Sequence, residues 1–161
     1  MVRMEALIDL KNADPGFRLE LAEQPEGKGF MACLTCRTCV CGCPVARVNP
    51  GLNPARIIRM VNLGLKDEVL SSDFIWLCTG CYTCQEACPM RIRITDLITL
   101  LKNMAVKQGH IPQGVQAQMD IIGEHSRIYP IDDFDNKKRN KLDLPSLPTH
   151  SDTARVLWNH P

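Results

Sequence analysis

A five-residue pattern occurs twice in this chain at a constant offset, because Cys33, Cys36, Cys39, Cys43 and Pro44 return 45 positions later as Cys78, Cys81, Cys84, Cys88 and Pro89. Both copies read C-x2-C-x2-C-x3-C-P, and five positions held in one register mark an internal repeat. All nine cysteines lie between Cys33 and Cys88. They therefore serve a local site and do not staple the two ends of the chain together.

The chemistry of that site follows from elimination and then from spacing. The first residues, Met-Val-Arg-Met-Glu-Ala, carry no apolar stretch followed by a small-residue cleavage site, so the chain is expected to remain in the cytoplasm. In a reducing compartment clustered cysteines bind metal more often than they pair, and an odd total fits a closed disulfide framework poorly. Zinc favours two separated cysteine pairs or a cysteine and histidine mixture. Here three cysteines follow one another at x2 spacing, and His110, His125, His150 and His160 all lie outside the cysteine block. A thioredoxin-type C-x2-C pair needs alternating strands and helices, and no stretch alternates convincingly as a strand.

A cubane 4Fe-4S cluster fits better. Each of its four irons takes one external thiolate, and three cysteines on a tight turn can wrap three corners. In two-cluster ferredoxins with this spacing the last cysteine before the proline ligates the other cluster. The expected cofactors are two 4Fe-4S clusters, the first on Cys33, Cys36, Cys39 and Cys88, the second on Cys78, Cys81, Cys84 and Cys43. Each would tie together segments far apart in sequence, which compensates for an aromatic content of only 5%. Without iron the middle of the chain is expected to be largely unfolded. Cys41 interrupts the first motif and is expected as a small residue that is either buried or set just behind the ligands, with a substitute ligand or redox-active thiol as the alternative. Pro44 and Pro89 turn the chain away after the fourth cysteine. Trp76 and Tyr82 are expected to shield the second cluster from water.

The flanking segments read as helices. Asp14-Pro15 starts one that turns Phe17 and Leu21 inward and stops at Pro25-Glu26-Gly27. Asn53 caps another, with Pro54 at its first position and Ile57, Ile58, Val61 and Leu65 on one face. A short helix runs from about Asp67 to Leu70, and Ser72 caps a turn from Phe74 to Leu77. Thr95 and Asp96 open a helix with Leu97, Ile98, Leu101, Met104 and Ala105 as its apolar stripe, ended by Gly109 and Pro112. Val115, Met119 and Ile122 mark one more, closed by Gly123. After Ile131 an acidic run, Asp132, Asp133 and Asp135, precedes Lys137, Lys138, Arg139 and Lys141, and this tail is not expected to build a core of its own. Its alternatives are solvated disorder and an arm that orders against a partner.

Charge and hydropathy narrow the function. With 19 basic and 18 acidic residues the net charge is +1, which provides no global field for nucleic acid or an anionic membrane. The longest strongly apolar stretches, Phe74 to Cys78 and Leu97 to Leu101, are far below the roughly 18 residues that span a bilayer. Direct membrane insertion is not expected.

With both motifs and their following helices in place, the chain resembles the C-type iron-sulfur subunits of heterodisulfide reductases and related complexes. The resemblance rests on Cys33 to Pro44, on Asn53-Pro54-Ala55-Arg56-Ile57-Ile58-Arg59-Met60 with Leu63-Gly64, and on Ile75 to Cys84. It continues through Ile94-Thr95-Asp96 and Gly109-His110-Ile111-Pro112 and covers roughly residues 14 to 130. The same core is similar to the cluster-bearing part of succinate dehydrogenase and glycolate oxidase iron-sulfur subunits. It implies an all-α, alpha-helical ferredoxin fold with two clusters between helices and extended terminal arms. The expected organisation is residues 1–27 as an N-terminal arm with a short helix, 28–130 as the ferredoxin domain, and 131–161 as an extended tail.

The resemblance also implies partners, an A-type subunit with FAD and iron-sulfur clusters and a B-type subunit with a cysteine-rich, disulfide-reducing iron-sulfur site. This chain would relay electrons between them, in methanogenesis, sulfur metabolism or a related anaerobic pathway, and would perform no substrate chemistry. No cysteine follows Cys88 to build a B-type site. Three alternatives are a diffusible ferredoxin-like carrier, the iron-sulfur subunit of a membrane-anchored quinone or fumarate enzyme, and a structural zinc module. Cys41 and the tail after Ile131 are departures from the family pattern.

Overall fold

Side-chain caps or prolines set the start of several early helices in the computed structural model, which describes residues 10–151 and 153–158. The first nine residues of the expected N-terminal arm, and His160, lie outside the described residues. Every regular element among the described residues is helical. Contacts divide the chain into two units, one through His110 and one from Ile111.

In the first unit, helix α1 (Pro15–Glu23) begins where the Asp14 carboxylate accepts the Gly16 amide at 2.8 Å, and it ends at a short turn, Pro25–Gly27. Phe17 and Leu21 on its inner face are fully buried. Burial of two such side chains contributes about 1.5–3 kcal/mol each, so from Pro15 onward the expected arm is drawn into the core. The first motif carries α2 (Thr38–Cys41) and α3 (Pro44–Val48). Next comes α4 (Pro54–Asn62), where Asn53 accepts the Arg56 amide at 2.9 Å and anchors itself by donating to the Pro50 carbonyl at 2.8 Å. Ile57, Ile58, Val61 and Leu65 are all buried, as their spacing predicts.

A tight joint follows α4. Gly64 has φ +75, and a Cβ there would come within 2.3 Å of the Asp14 carbonyl oxygen. The Asp14 amide in turn donates to the Gly64 carbonyl at 2.7 Å. Only glycine permits this backbone approach, which fastens the start of α1 to the end of α4. Two short helices, α5 (Lys66–Leu70) and α6 (Asp73–Leu77), lead into the second motif, and Ser72 caps the latter by accepting from Phe74. The second motif carries α7 (Thr83–Glu86).

Helix α8 (Ile94–Lys107) is the central rod of this unit, with Ile94, Leu97, Ile98, Leu101 and Ala105 buried against α5, α6, α7 and the Pro25–Gly27 turn. It stops at Gly109, φ +78, where the His110 amide reaches back to the Ala105 carbonyl. Thr95 does not cap it. Arg93 stands at the N-cap, and Thr95 lies inside the first turn, buried.

The second unit begins with α9 (Gln113–His125), which runs through Gly123 instead of closing there and ends at Ser126 in the left-handed region. An isolated glycine does not break a helix whose hydrogen bonds continue on both sides. The tail is not featureless either. Asp132 and Asp135 form a reciprocal capping box at the start of α10 (Asp133–Asn140), whose last turn carries Lys137, Lys138 and Arg139, so the charge run complements the helix dipole. Helix α11 (Thr153–Trp158) follows. This unit is tied by polar contacts: Asn136 bonds Leu147 through both its amide groups, Arg127 donates to the Pro148 carbonyl, and Ser126 to that of Ser151. No described residue beyond Ala105 is buried.

Candidate metal centre

The repeat in sequence is a repeat in backbone. Cys33 and Cys78 have φ/ψ of −62/119 and −62/118, Thr35 and Gly80 are both left-handed, and so are Arg37 and Tyr82. Helices α2 and α7 are offset by the same 45 residues. Two left-handed residues in each loop curl the chain so that three cysteines face one side. A non-glycine residue in this region is uncommon, and Thr35, Arg37 and Tyr82 all adopt it. Where α2 and α7 meet, Gly42 lies so close to Thr83 that a Cβ would come within 2.5 Å of its methyl group.

The chain bounds two similar small spaces, of about 20 Å³ each. Cys33, Cys36, Cys39 and Cys88 line the first, and Cys78, Cys81, Cys84 and Cys43 line the second. Each space thus gathers three cysteines of one motif and the last cysteine of the other. Apolar side chains complete the walls, Ile58, Ile92 and Ile94 in the first, Val45, Phe74 and Ile98 in the second. Two four-thiol sets, each in a largely apolar pocket, match the donor type and number of a cubane cluster. Among the described residues no three His, Cys, Asp or Glu side chains converge as they would on a single ion. The thiols bound a volume and do not meet at a point.

Within each set the thiols differ in acidity. Burial pushes Cys39 up to about 11, and the neighbouring Cys84, Cys33 and Cys36 add to the shift. Cys84 is pushed up by burial too, partly offset by the Thr95 hydroxyl. The outer cysteines go the other way. Cys36 is lowered first by the Thr38 hydroxyl, 3.3 Å from its sulfur, and by the Thr38 backbone. Cys81 is lowered in the same way by Thr83, with a smaller contribution from Thr79. Thr38 and Thr83 are repeat equivalents. Because iron binds thiolate, loading these sets must release the protons held most tightly at Cys39 and Cys84.

The two thiol sets differ in one hydrogen bond that the symmetry of the repeat does not predict. Thr95 Oγ1 lies 3.8 Å from Cys84 Sγ, and Thr95 is 4% exposed. Once Cys84 is a thiolate only the hydroxyl can donate. No residue in the first space takes the corresponding position on Cys39. Thr95 carried a helix-capping signal in sequence, and only its distance to Cys84 shows its other role.

Cys41 lines neither space. It is exposed, with its sulfur 4.0 Å from the Arg37 carbonyl, which corrects the expectation of a buried residue. As the last residue of a helix whose Cys39 faces inward, it is rotated toward solvent. Tyr82 lines the second space and is 48% exposed, so it covers the rim only partly. Trp76 packs on the hydrophobic core and is absent from the lining. Pro44 lines the second space and Pro89 the first, each at the start of the segment that crosses over. Among the described residues no helix is long and apolar enough to cross a membrane.

Comparison with known proteins places this arrangement. A family profile described as a 4Fe-4S dicluster domain matches residues 29–92. The C-type subunit of the H(2):CoB-CoM heterodisulfide,ferredoxin reductase of Methanothermobacter thermautotrophicus is 35% identical over 146 residues, 91% of this chain and 78% of that protein. The C-type subunit of the ferredoxin:CoB-CoM heterodisulfide reductase of Methanosarcina mazei is 39% identical over 122 residues, 76% of this chain and 74% of that protein. The C-type iron-sulfur subunit of the CoB–CoM heterodisulfide reductase of Methanopyrus kandleri is 31% identical over 151 residues, 89% of this chain and 78% of that protein. With its two cysteine-lined spaces and this degree of similarity, the chain belongs to the family of C-type heterodisulfide reductase subunits, all-α iron-sulfur electron-transfer proteins with two 4Fe-4S clusters.

Proposed function

We propose that the chain relays electrons between a flavin-containing A-type subunit and a disulfide-reducing B-type subunit of a heterodisulfide-reductase complex. Cys33, Cys36, Cys39 and Cys88 hold one cluster, and Cys78, Cys81, Cys84 and Cys43 hold the other. The observation that carries this reading is the crossing of the fourth cysteines, because it ties two four-thiol pockets to one pair of touching helices, α2 and α7.

The clusters supply one-electron carriers of adjustable potential. The protein supplies position and environment. Cys39 and Cys84 lie on α2 and α7, which pack against each other, so the two pockets adjoin. The apolar walls limit water around each thiol set, while Cys36 and Cys81 at the outer corners are exposed and bring each set to the surface. A buried inner end and an exposed outer end on each side give electrons a way in, a short crossing and a way out.

The test mixes purified A-type and B-type subunits with the iron-loaded chain under anaerobic conditions. Reduction of the flavin is expected to produce the chain's cluster signals in electron paramagnetic resonance, followed by reduction of the B-type disulfide substrate. Electron transfer from A to B at the same rate without the chain would contradict the proposal.

A further inference from the structure

The two pockets have the same thiol arrangement and different surfaces. The lining of the second space carries no charged side chain. The first includes Arg37, which also lines an adjoining groove of about 240 Å³ together with Arg56 and Arg59. Neither the first space nor this groove has a carboxylate in its lining. From Gly27 to Lys66 the chain contains no Asp or Glu at all. Among the described residues no ion pair neutralises Arg37 or Arg59, whereas Arg93 is paired with Asp96 at 2.6 Å.

Beside these arginines the mouth of the first space exposes apolar side chains. Leu34, between the first two cysteines, is 62% exposed, and Met90, which follows the crossed-over Cys88-Pro89, is 42% exposed. The repeat equivalent of Leu34 is Thr79, and that of Arg37 is Tyr82. The basic rim and the exposed Leu34 therefore belong to the first pocket alone, whereas Met90 is matched in the second by the apolar Val45.

We propose that this face is the docking site of an acidic redox partner, a protein surface with an apolar centre ringed by carboxylates, which exchanges electrons with the first cluster. The inference rests on the relay reading and adds to it that the partner at the first cluster is steered by charge. A desolvated apolar centre limits dissociation, and rim charges accelerate encounter and make it depend on salt. Arginine suits such a rim because its planar guanidinium pairs with carboxylates in a bidentate manner.

The experiment measures binding of the iron-loaded chain to the purified A-type and B-type subunits separately, across a salt series, for wild type, Arg59→Glu and the double variant Arg37→Glu/Arg59→Glu. Arg59 lines only the groove, so Arg59→Glu remains informative if the double variant loses iron. For one of the two subunits, wild-type affinity is expected to fall steeply with salt and to drop at least about tenfold in the variants at low salt, while iron content stays unchanged for Arg59→Glu. The other subunit should bind all three proteins alike. If one or both subunits bind and the charge reversals change neither affinity, the docking assignment is overturned and the relay reading stands. Charge reversals that weaken only self-association of the chain overturn it as well. If neither subunit binds the wild-type chain, the relay reading fails and this inference with it.

Discussion

The Thr95 hydroxyl faces the sulfur of Cys84 from inside the first turn of α8, and its position carries a prediction. Hydrogen bonds to cluster sulfurs stabilise the reduced form and raise the reduction potential. Thr95→Val keeps the shape and removes the donor, so it is expected to lower the potential of the second cluster and leave the first unchanged; Thr95→Ser should restore it. A redox titration followed by electron paramagnetic resonance reads both clusters. The crossed assignment has its own residue-level test. Cys88→Ala should damage the cluster held by Cys33, Cys36 and Cys39 more than that of its own motif, and Cys41→Ala should leave both in place. Selective loss of the second cluster in Cys88→Ala would reverse the pairing.

At the scale of elements, much of the helical framework is legible because its signals are local. Asn53-Pro54 and Asp14-Pro15 combine a side-chain acceptor with a proline that has no amide to satisfy, and each starts a helix where it stands. What is not legible depends on distant backbone. The left-handed Arg37 and Tyr82 carry no glycine to announce them, and the fit of Gly42 against Thr83 exists only once the repeats pack together. From composition the tail reads either as solvated disorder or as an arm that orders against a partner, and the same charges, sorted acidic first and basic last, cap and complement α10. Gly64 joins the two categories. Its residue type signals a turn, but its need is the Asp14 carbonyl 50 residues upstream. Gly64→Ala forces both a strained φ and a backbone clash, and is expected to cost about 1–3 kcal/mol. A lower denaturation midpoint of the iron-loaded protein would show it, and an unchanged midpoint would mean the joint is not under load.

At the scale of the whole molecule, the small core and the two cysteine-lined pockets are one construction. Among the described residues burial ends at Ala105, and several buried residues, Ile58, Phe74, Ile92, Ile94 and Ile98, are also pocket walls. A cluster in each pocket would bridge the two repeats and hold these walls in place, which would couple metal binding to folding. Removing iron with a chelator is expected to reduce the far-ultraviolet circular dichroism of the chain well below that of the loaded form. Retention of the full signal would show that the helices fold without the clusters.

Two interacting 4Fe-4S clusters in the crossed pockets are tested most directly by an iron, sulfide and zinc count on anaerobically purified chain, with its electron paramagnetic resonance spectrum after reduction. About eight irons and eight sulfides per chain are expected, with the spectrum of two magnetically coupled clusters. Stoichiometric zinc without sulfide would contradict this assignment.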